Sequence, residues 1–193
     1  MLEPLTEATR DLILPWRNAP EVRRQMYTRH EVTLEEHRAW FERIQADPTR
    51  RWYLYRDASD EPAGVVYFTD IEPEGGTAFW GFYARPETPA GTGKRILYTA
   101  LEYAFNELGL HKLNGEVLAP NTVSVHLHEQ CGFTREGVFR EQHFDGEEYV
   151  DIIRFGLLAR EWPEHRERIA QLDALAARKA EGDTPPPPDR DPQ

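Results

Sequence analysis

The stretch NTVSVHLHEQCGF, residues 121–133, brings two histidines close to the only cysteine of the chain, which raises the question of a metal or thiol site. His126 and His128 are two residues apart on a predicted helix and do not share a face, whereas helical metal ligands lie three or four residues apart. Cys131 follows the helix, where a small apolar side chain usually fills the core. The stretch therefore predicts neither a metal site nor a reactive thiol.

A second segment, FWGFYARPETPAGTGKRIL at residues 79–97, is suited to holding an anion. Gly91 and Gly93 let successive backbone N–H groups converge, the following helix offers its N-terminus, and Lys94 adds a full positive charge. These features predict a diphosphate cradle. The segment lacks the ending of a nucleoside-triphosphate loop and the spacing of a dinucleotide fold, and such a loop is often only a connection.

Strands and helices must position these two segments. The residue pattern predicts strands in TRDLILP, RWYLYR, GVVYFTDI, TAFWGFYA and HKLNGEVLA, followed by a hairpin around the turn DG. It predicts helices in APEVRRQMY, TLEEHRAWFERIQ, GKRILYTALEYAFNELG and TVSVHLHEQ, the second of which begins with a capping box. Gly81, inside a strand, indicates a bulge or a close backbone approach.

This order predicts an α/β fold with a single domain over residues 1–162 and helices on both faces of a mixed, mostly antiparallel sheet. Residues 163–182 have the pattern of an amphipathic helix, which would pack on its own domain or serve as a lid or in a homodimer. Residues 183–193 are polar and proline-rich, which is typical of a disordered or polyproline-like tail.

The chain has 193 residues and a net charge of −11. This charge argues against nucleic acid as a partner, although a few local cations can still hold a small anion. No basic region followed by an apolar run begins the chain, and no stretch approaches the length needed to cross a bilayer. With a single cysteine, these features favour a cytoplasmic protein without membrane attachment.

Taken together, the two segments and the order of elements resemble the GCN5-related N-acetyltransferases, the GNAT superfamily. Its loop motif is Gln/Arg-x-x-Gly-x-Gly/Ala, and TPAGTG supplies both glycines, with Thr88 in first place. Its next motif is Asn-x-x-Ala/Ser-x-x-Leu-Tyr-x-x-x-Gly-Phe, which residues 121–133 match except that His128 replaces the tyrosine. The resemblance covers roughly residues 9–160 and implies acetyl-CoA as the cofactor, bound where the sheet splays between its fourth and fifth strands.

Three longer stretches are similar to one subgroup, the UDP-4-amino-4,6-dideoxy-N-acetyl-β-L-altrosamine N-acetyltransferases of pseudaminic acid biosynthesis. They are LPWRNAPEVRRQMYTRHEVTLEEHRAWFERI, GLHKLNGEVLAPN and FREQHFDGEEYVDIIRFGLLAREW. This resemblance implies direct attack by the amine of a UDP-linked amino-sugar on acetyl-CoA. Two alternatives stay open: acetylation of protein N-termini or aminoglycosides, which the acidic net charge also suits, and a non-catalytic acyl-CoA-binding module.

The family resemblance also implies where acetyl-CoA is held. The pantetheine arm would follow the fourth strand, the diphosphate would lie on the glycine loop, and the start of the next helix would contact the arm. The implied residues are Phe82, Tyr83, Ala84, Ala90, Gly91, Thr92, Gly93, Lys94, Asn121 and Ser124. His128 would face the sulfur as the general acid, because histidine readily donates a proton.

Glu116, on the fifth strand beside the splay, is the first candidate for the general base, acting through water; a solvated strand glutamate is the alternative. His37, in the second predicted helix, is the second candidate, and the subgroup resemblance places it in the acceptor groove. Arg17 would meet a substrate phosphate, since guanidinium binds phosphate bidentately, or would form an ion pair instead. The remaining groove candidates are Thr69, Trp80 and Tyr83, and the two aromatic residues suit the core equally well.

Overall fold

A computed structural model describes residues 1–169, in which the strands form one mixed sheet of order β1-β2-β3-β4-β5-β7-β6. The strands are β1 (Leu2–Pro4), β2 (Arg51–Arg56), β3 (Pro62–Glu72), β4 (Thr77–Ala84), β5 (Lys112–Leu118), β6 (Thr134–Phe144) and β7 (Tyr149–Leu158). Only the β4–β5 pair is parallel, so the predicted α/β fold with a mostly antiparallel sheet is confirmed. The proline-rich tail and most of the predicted C-terminal helix lie outside the described residues, and the domain boundary at residue 162 stays a prediction.

The helices cover both faces of this sheet. They are α1 (Glu7–Arg10), α2 (Leu14–Asn18), α3 (Pro20–Arg23), α4 (Leu34–Ala46), α5 (Thr92–Glu102) and α6 (Thr122–Gln130). A 3₁₀ turn (Asp11–Ile13) joins α1 to α2, α5 continues into a π-helical turn (Tyr103–Glu107), and α7 runs from residue 162 to the end of the described residues. Helix α4 begins with the predicted capping box, in which Thr33 and Glu36 each bond the backbone N–H of the other.

The prediction of a strand in TRDLILP is wrong, because this segment is helical and the first strand lies upstream at Leu2–Pro4. The N–H of Thr6 donates to Oγ1 of Thr9, and this local bond starts α1. Ile13 and Trp16 are both buried, which is the three-residue spacing of a helix face rather than the alternation of a strand. Pro15 lies in the first turn of α2, where a missing N–H costs nothing.

β4 and β5 separate halfway along their length, as the family resemblance implies. They are paired from Thr77 opposite Lys112 to Trp80 opposite Gly115, and the pairing stops there. β4 then continues to Ala84 and β5 to Leu118 along diverging paths. The backbone edge of β4 that faces β5 is therefore open beyond Trp80, which can accommodate an extended ligand.

Two hydrophobic clusters lie on opposite faces of the sheet. Val65 belongs to the cluster under α2–α4, whereas its neighbour Val66 belongs to the cluster under α5 and α6, as the alternation of a strand requires. On β4 the same alternation places Tyr83 on the α2–α4 face and Trp80 on the α5–α6 face. The two faces can therefore present different side chains to the splay.

Gly81 is required by a neighbouring aromatic ring. It pairs with Tyr67 across β3 and β4, and a Cβ on Gly81 would collide with the Tyr67 phenol. The glycine therefore marks a close approach, one of the two predicted possibilities, and it lets Tyr67 lie flat across β4 toward the site.

The β6–β7 hairpin is confirmed at its predicted turn. Oδ1 of Asp145 accepts hydrogen bonds from the N–H groups of Glu147 and Glu148, and these bonds hold the pKa of Asp145 below its usual value. The Asp145 carboxylate also pairs with Arg29 at 3.3 Å, which ties the hairpin tip to the segment before α4. Within residues 1–169, no helix has the length and apolar character to span a membrane.

Candidate active site

A cavity of about 420 Å³ opens at the splay between β4 and β5. It is lined from β4, from β5, from the N-terminal ends of α5 and α6, and from the segment that contains α3. The lining includes these predicted site residues: Trp80, Phe82, Tyr83, Ala84, Gly93, Glu116, Asn121, Ser124 and His128. The structure thus brings together most of the residues that were predicted from separate stretches of the sequence.

The N-terminus of α5 has the geometry of an anion site. Gly91 is its N-cap and has a φ of +83°, a left-handed conformation that glycine adopts without steric cost. Thr92 is buried, and its hydroxyl donates to the Pro89 carbonyl at 2.7 Å, which shapes the loop. Gly93 lies in the first helical turn, where backbone N–H groups have no acceptor within the helix.

Arg95 is a second cation at this loop that sequence reasoning missed. Its Nη2 donates to Oγ1 of Thr92 at 2.8 Å, and its Nη1 would lie 3.4 Å from a Cβ on Gly91. Arg95 follows Lys94 directly, so its place next to the glycine loop was readable from the sequence. The two cations and the helix N-terminus together favour a diphosphate.

The N-terminus of α6 places three predicted residues in the cavity wall. Oδ1 of Asn121 accepts from the N–H of Ser124 at 3.1 Å and so caps the helix. The carbonyl of Ser124 lies 2.8 Å from Nδ1 of His128, one turn later. Because a carbonyl can only accept, Nδ1 carries the proton and Nε2 of His128 has a free lone pair.

Burial keeps His128 neutral. The side chain is only 5% exposed and packs against the rings of Trp80, Phe133 and Phe155. Burial lowers the pKa of His128 to about 4. At neutral pH, Nε2 is therefore an acceptor, and this geometry does not favour the predicted role of His128 as a proton donor to sulfur.

The side chain of Glu116 reaches the splay from the face of the sheet opposite to the one that His128 packs on. Its Oε1 lies 3.1 Å from Nη2 of Arg154, directly across the β5–β7 ladder, and the Arg154 guanidinium lies 4.2 Å from the Phe79 ring centroid. Its Oε2 accepts a 2.8 Å hydrogen bond from the Tyr27 hydroxyl. Burial, helped by Glu116, raises the pKa of Tyr27, so the phenol stays protonated.

Tyr27 and Arg154 were not predicted as site residues. The QMYTRH stretch around Tyr27 lies within one of the stretches that resemble the sugar-nucleotide subgroup, but that resemblance gave Tyr27 no role, and Tyr27 is 89 residues from Glu116 in sequence. Arg154 could have been found from the hairpin, since alternation on β7 aligns it with Glu116 once the register is known.

A second cavity, of about 550 Å³, adjoins the first and shares Met26, Tyr67 and Tyr83 with it. Arg17 lines it, with Nη2 donating to the Thr28 carbonyl at 2.7 Å and Nη1 buried without a hydrogen-bond partner among the described residues. Burial lowers the pKa of Arg17 from its ordinary value. The indole Nε1 of Trp52, in the same wall, is likewise buried without a partner in the described part of the chain.

Stacked rings form one side of this second cavity. His37 stacks on Trp40 with centroids 5.0 Å apart, Trp40 meets Trp52 edge-on at 4.7 Å, and Trp52 stacks on Tyr67 at 4.3 Å. Nε2 of His37 lies 2.7 Å from the Arg10 carbonyl, so this nitrogen donates and is not available as a base. His37 lines the second cavity, whereas Glu116 lines the first, so the two candidate bases are not brought together.

The other predicted residues lie around the two cavities. Thr69 faces Phe79 across β3 and β4 and is not among the residues lining either cavity. Ala90 and Lys94 flank the glycine loop at the start of α5. His126 is exposed, His128 is buried, and no group of metal-ligating side chains occurs within residues 1–169.

These residues fit acetyl-CoA. The open edge of β4 beyond Trp80 can pair with an extended pantetheine arm, and the loop at Gly91 can hold a diphosphate. The Nε1 of Trp80 is buried at the inner end of the splay without a partner among the described residues, which leaves a donor for a ligand. Splay and cradle together indicate a protein that binds acyl-CoA, the class to which the acyl-CoA-dependent transferases belong.

The comparisons identify the family. Residues 1–134 match the model of the acetyltransferase (GNAT) domain, and the chain belongs to that family. It is an acetyl-CoA-dependent N-acetyltransferase, which confirms the predicted class and cofactor.

Two curated relatives are named acetyltransferases, and only the first name states an acceptor, spermidine. Over 113 residues the chain is 32% identical to spermidine N(1)-acetyltransferase of Vibrio cholerae, an alignment that covers 58% of this chain and 65% of that relative. Over 125 residues it is 28% identical to acetyltransferase PseH of Campylobacter jejuni, covering 64% of this chain and 76% of that relative.

Among solved structures, the chain is similar to spermidine N-acetyltransferase from Vibrio cholerae in complex with CoA and spermine. The TM-score is 0.78 at 26% identity, and the match covers 84% of this chain and 96% of the other. The chain thus shares its fold with a solved acetyltransferase that binds CoA.

Proposed function

We propose that the enzyme acetylates the amine of a nucleotide-linked amino-sugar, as in pseudaminic acid biosynthesis. The observation that carries the proposal is the Arg17 guanidinium in the wall of the second cavity, whose buried Nη1 is a donor that no described residue satisfies. Leaving a buried donor unpaired costs about 1–3 kcal/mol. A phosphate would satisfy Arg17, and the stacked rings from Trp40 to Tyr67 suit a flat base.

The two adjoining cavities suit the two ends of such an acceptor. The nucleotide would occupy the second cavity, and its sugar amine would pass the shared wall of Met26, Tyr67 and Tyr83 to reach the splay. There Glu116 would accept a proton from the amine. The resemblance of three long stretches of the sequence to the UDP-amino-sugar N-acetyltransferases supports the same acceptor class.

The cofactor would be held by the residues at the splay. Phe82, Tyr83 and Ala84 would bind the arm along the open edge of β4, the loop from Ala90 to Lys94 would bind the diphosphate, and the α6 cap would contact the arm through Asn121 and Ser124. Acetyl-CoA supplies the acetyl group as a reactive thioester. Nε2 of His128 would accept a hydrogen bond at the inner end of the splay.

A polyamine is the second candidate acceptor. Carboxylates of Glu21, Glu87 and Glu116 line the first cavity, although Arg85 lies among them, and the net charge of −11 attracts cations. The similarity to spermidine acetyltransferases points the same way. A polycation, however, would leave Arg17 without an anionic partner.

Calorimetric titration of UDP into the enzyme with bound CoA tests the proposal. We expect the wild type to bind UDP and Arg17→Met to bind it at least tenfold more weakly. Arg17→Lys should show an intermediate loss of affinity, because lysine keeps the positive charge but lacks the planar guanidinium that binds phosphate through two N–H groups. Arg140→Met, an exposed position on β6, is the matched control. Tight binding of spermidine with no measurable binding of UDP would overturn the sugar-nucleotide proposal in favour of a polyamine.

A further inference from the structure

Tyr27 is held against Glu116 from two sides. Its ring packs edge-on to His143 at 5.2 Å, and two residues later Arg29 pairs with Asp145 at the hairpin tip. The hydroxyl donates to Oε2 of Glu116 at 2.8 Å. Contacts from the hairpin and from β5 thus fix the phenol at the wall of the first cavity.

Both carboxylate oxygens of Glu116 are engaged. Arg154 binds Oε1, and Arg154 is itself held over the Phe79 ring. These two partners occupy one lone pair on each oxygen, so an amine that binds Glu116 directly must share the carboxylate with Arg154 and Tyr27. The Tyr27 oxygen also keeps a lone pair after donating its proton, and the side chain remains half-exposed beside the cavity.

We propose that Tyr27 is a catalytic residue that relays the amine proton to Glu116. The N–H bond of the acceptor ammonium breaks as a new O–H bond forms at Tyr27, and the original hydroxyl proton passes to Oε2 of Glu116. The amine becomes neutral, Tyr27 is again a neutral phenol and Glu116 becomes a carboxylic acid, so protons and charge balance. The relay rests on the proposed role of Glu116 as base.

The raised pKa of Tyr27 is consistent with this step, because the phenol is protonated before the amine arrives. Tyr27 therefore acts as a link and not as a tyrosinate base. The relay also replaces the water molecule through which a carboxylate at this position would otherwise have to act.

The test compares Tyr27→Phe, Glu116→Gln and the double variant, using whichever of a UDP-4-amino-sugar or spermidine the wild type turns over faster. We expect kcat to fall about 100-fold in each single variant, with CoA affinity unchanged. The double variant should lose no more than the worse single variant, because the two residues serve one step. Tyr149→Phe, on an exposed ring of the hairpin, is the matched control.

A pH series separates the relay from a structural role. The rates of both single variants should approach that of the wild type as the pH nears the pKa of the acceptor amine, since a free amine needs no base. If Tyr27→Phe keeps the wild-type kcat while Glu116→Gln is impaired, the relay is overturned but the proposed role of Glu116 as the base is not. Full activity of Glu116→Gln would overturn both the relay and the proposed base, and multiplicative losses in the double variant would also contradict the relay.

Discussion

Nδ1 of His128 lies 2.8 Å from the carbonyl oxygen of Ser124, one turn earlier in α6, and this contact determines which ring nitrogen carries the proton. The family motif has a tyrosine here, whose hydroxyl can donate to sulfur. His128 instead presents an acceptor, with Nε2 at 3.2 Å from the point where a Cβ on Gly115 would stand. We therefore predict that departure of the thiolate in this enzyme does not depend on a donor at this position.

The buried neutral His128 predicts a stability that depends on pH. Its pKa is lowered from the ordinary value of 6.5, which an unfolded chain retains, to about 4 in the folded state, so unfolded chains bind the proton first as the pH falls. The stabilisation that neutral His128 gives to the folded state is fully present above pH 6.5. It decreases by roughly 3 kcal/mol as the pH falls toward 4. Urea unfolding from pH 7 to pH 4 should show this slope in the wild type.

His128→Phe should flatten that slope, whereas His126→Phe, at an exposed position of the same helix, should retain it. Equal slopes in the two variants would mean that other groups carry the pH dependence.

Gly91 tests the position of the diphosphate. Asparagine and aspartate are nearly isosteric, and both tolerate the left-handed backbone at this position, so they differ mainly in charge. Gly91→Asp should bind CoA at least tenfold more weakly than Gly91→Asn, because its carboxylate repels the diphosphate. Calorimetry of CoA binding measures the difference, and equal affinities would place the diphosphate elsewhere.

Gly81 tests the packing of Tyr67 between the two cavities. A methyl group at Gly81 would collide with the Tyr67 ring, so Gly81→Ala should lower the free energy of unfolding by about 1–3 kcal/mol. Gly137→Ala is the matched control, because nothing lies within 4 Å of its added methyl group. Denaturant midpoints measure both, and an unchanged midpoint in Gly81→Ala would show that Tyr67 moves aside freely.

Local signals made much of the fold predictable. The Thr33–Glu36 capping box depends on residues three apart, and α4 begins where this box predicts. The turn at Asp145 is local in the same way. The prediction of a strand in TRDLILP was wrong because a short apolar run suits either a strand or a helix. Burial of Ile13 and Trp16 against α4 and β2 decides between the two.

The site was predictable where a motif lies in one stretch and not where it depends on long-range contacts. Gly91 and Asn121 each belong to a continuous motif, and they are the N-caps of α5 and α6, whose first turns line the first cavity. The contact of Tyr27 with Glu116 joins segments 89 residues apart, and no spacing rule reaches that far. Stacking with Trp40 and the bond to the Arg10 carbonyl, which place His37 in the second cavity, depend equally on tertiary packing.

The most direct test of the proposed function is acetyl-CoA-dependent thiol release with a UDP-4-amino-sugar and with spermidine at matched concentrations. Arg17 and the stacked rings predict that kcat/KM is at least tenfold higher for the sugar nucleotide, and that Arg17→Met removes most of this preference. A higher kcat/KM for spermidine, unaffected by Arg17→Met, would contradict the account and make the enzyme a polyamine acetyltransferase.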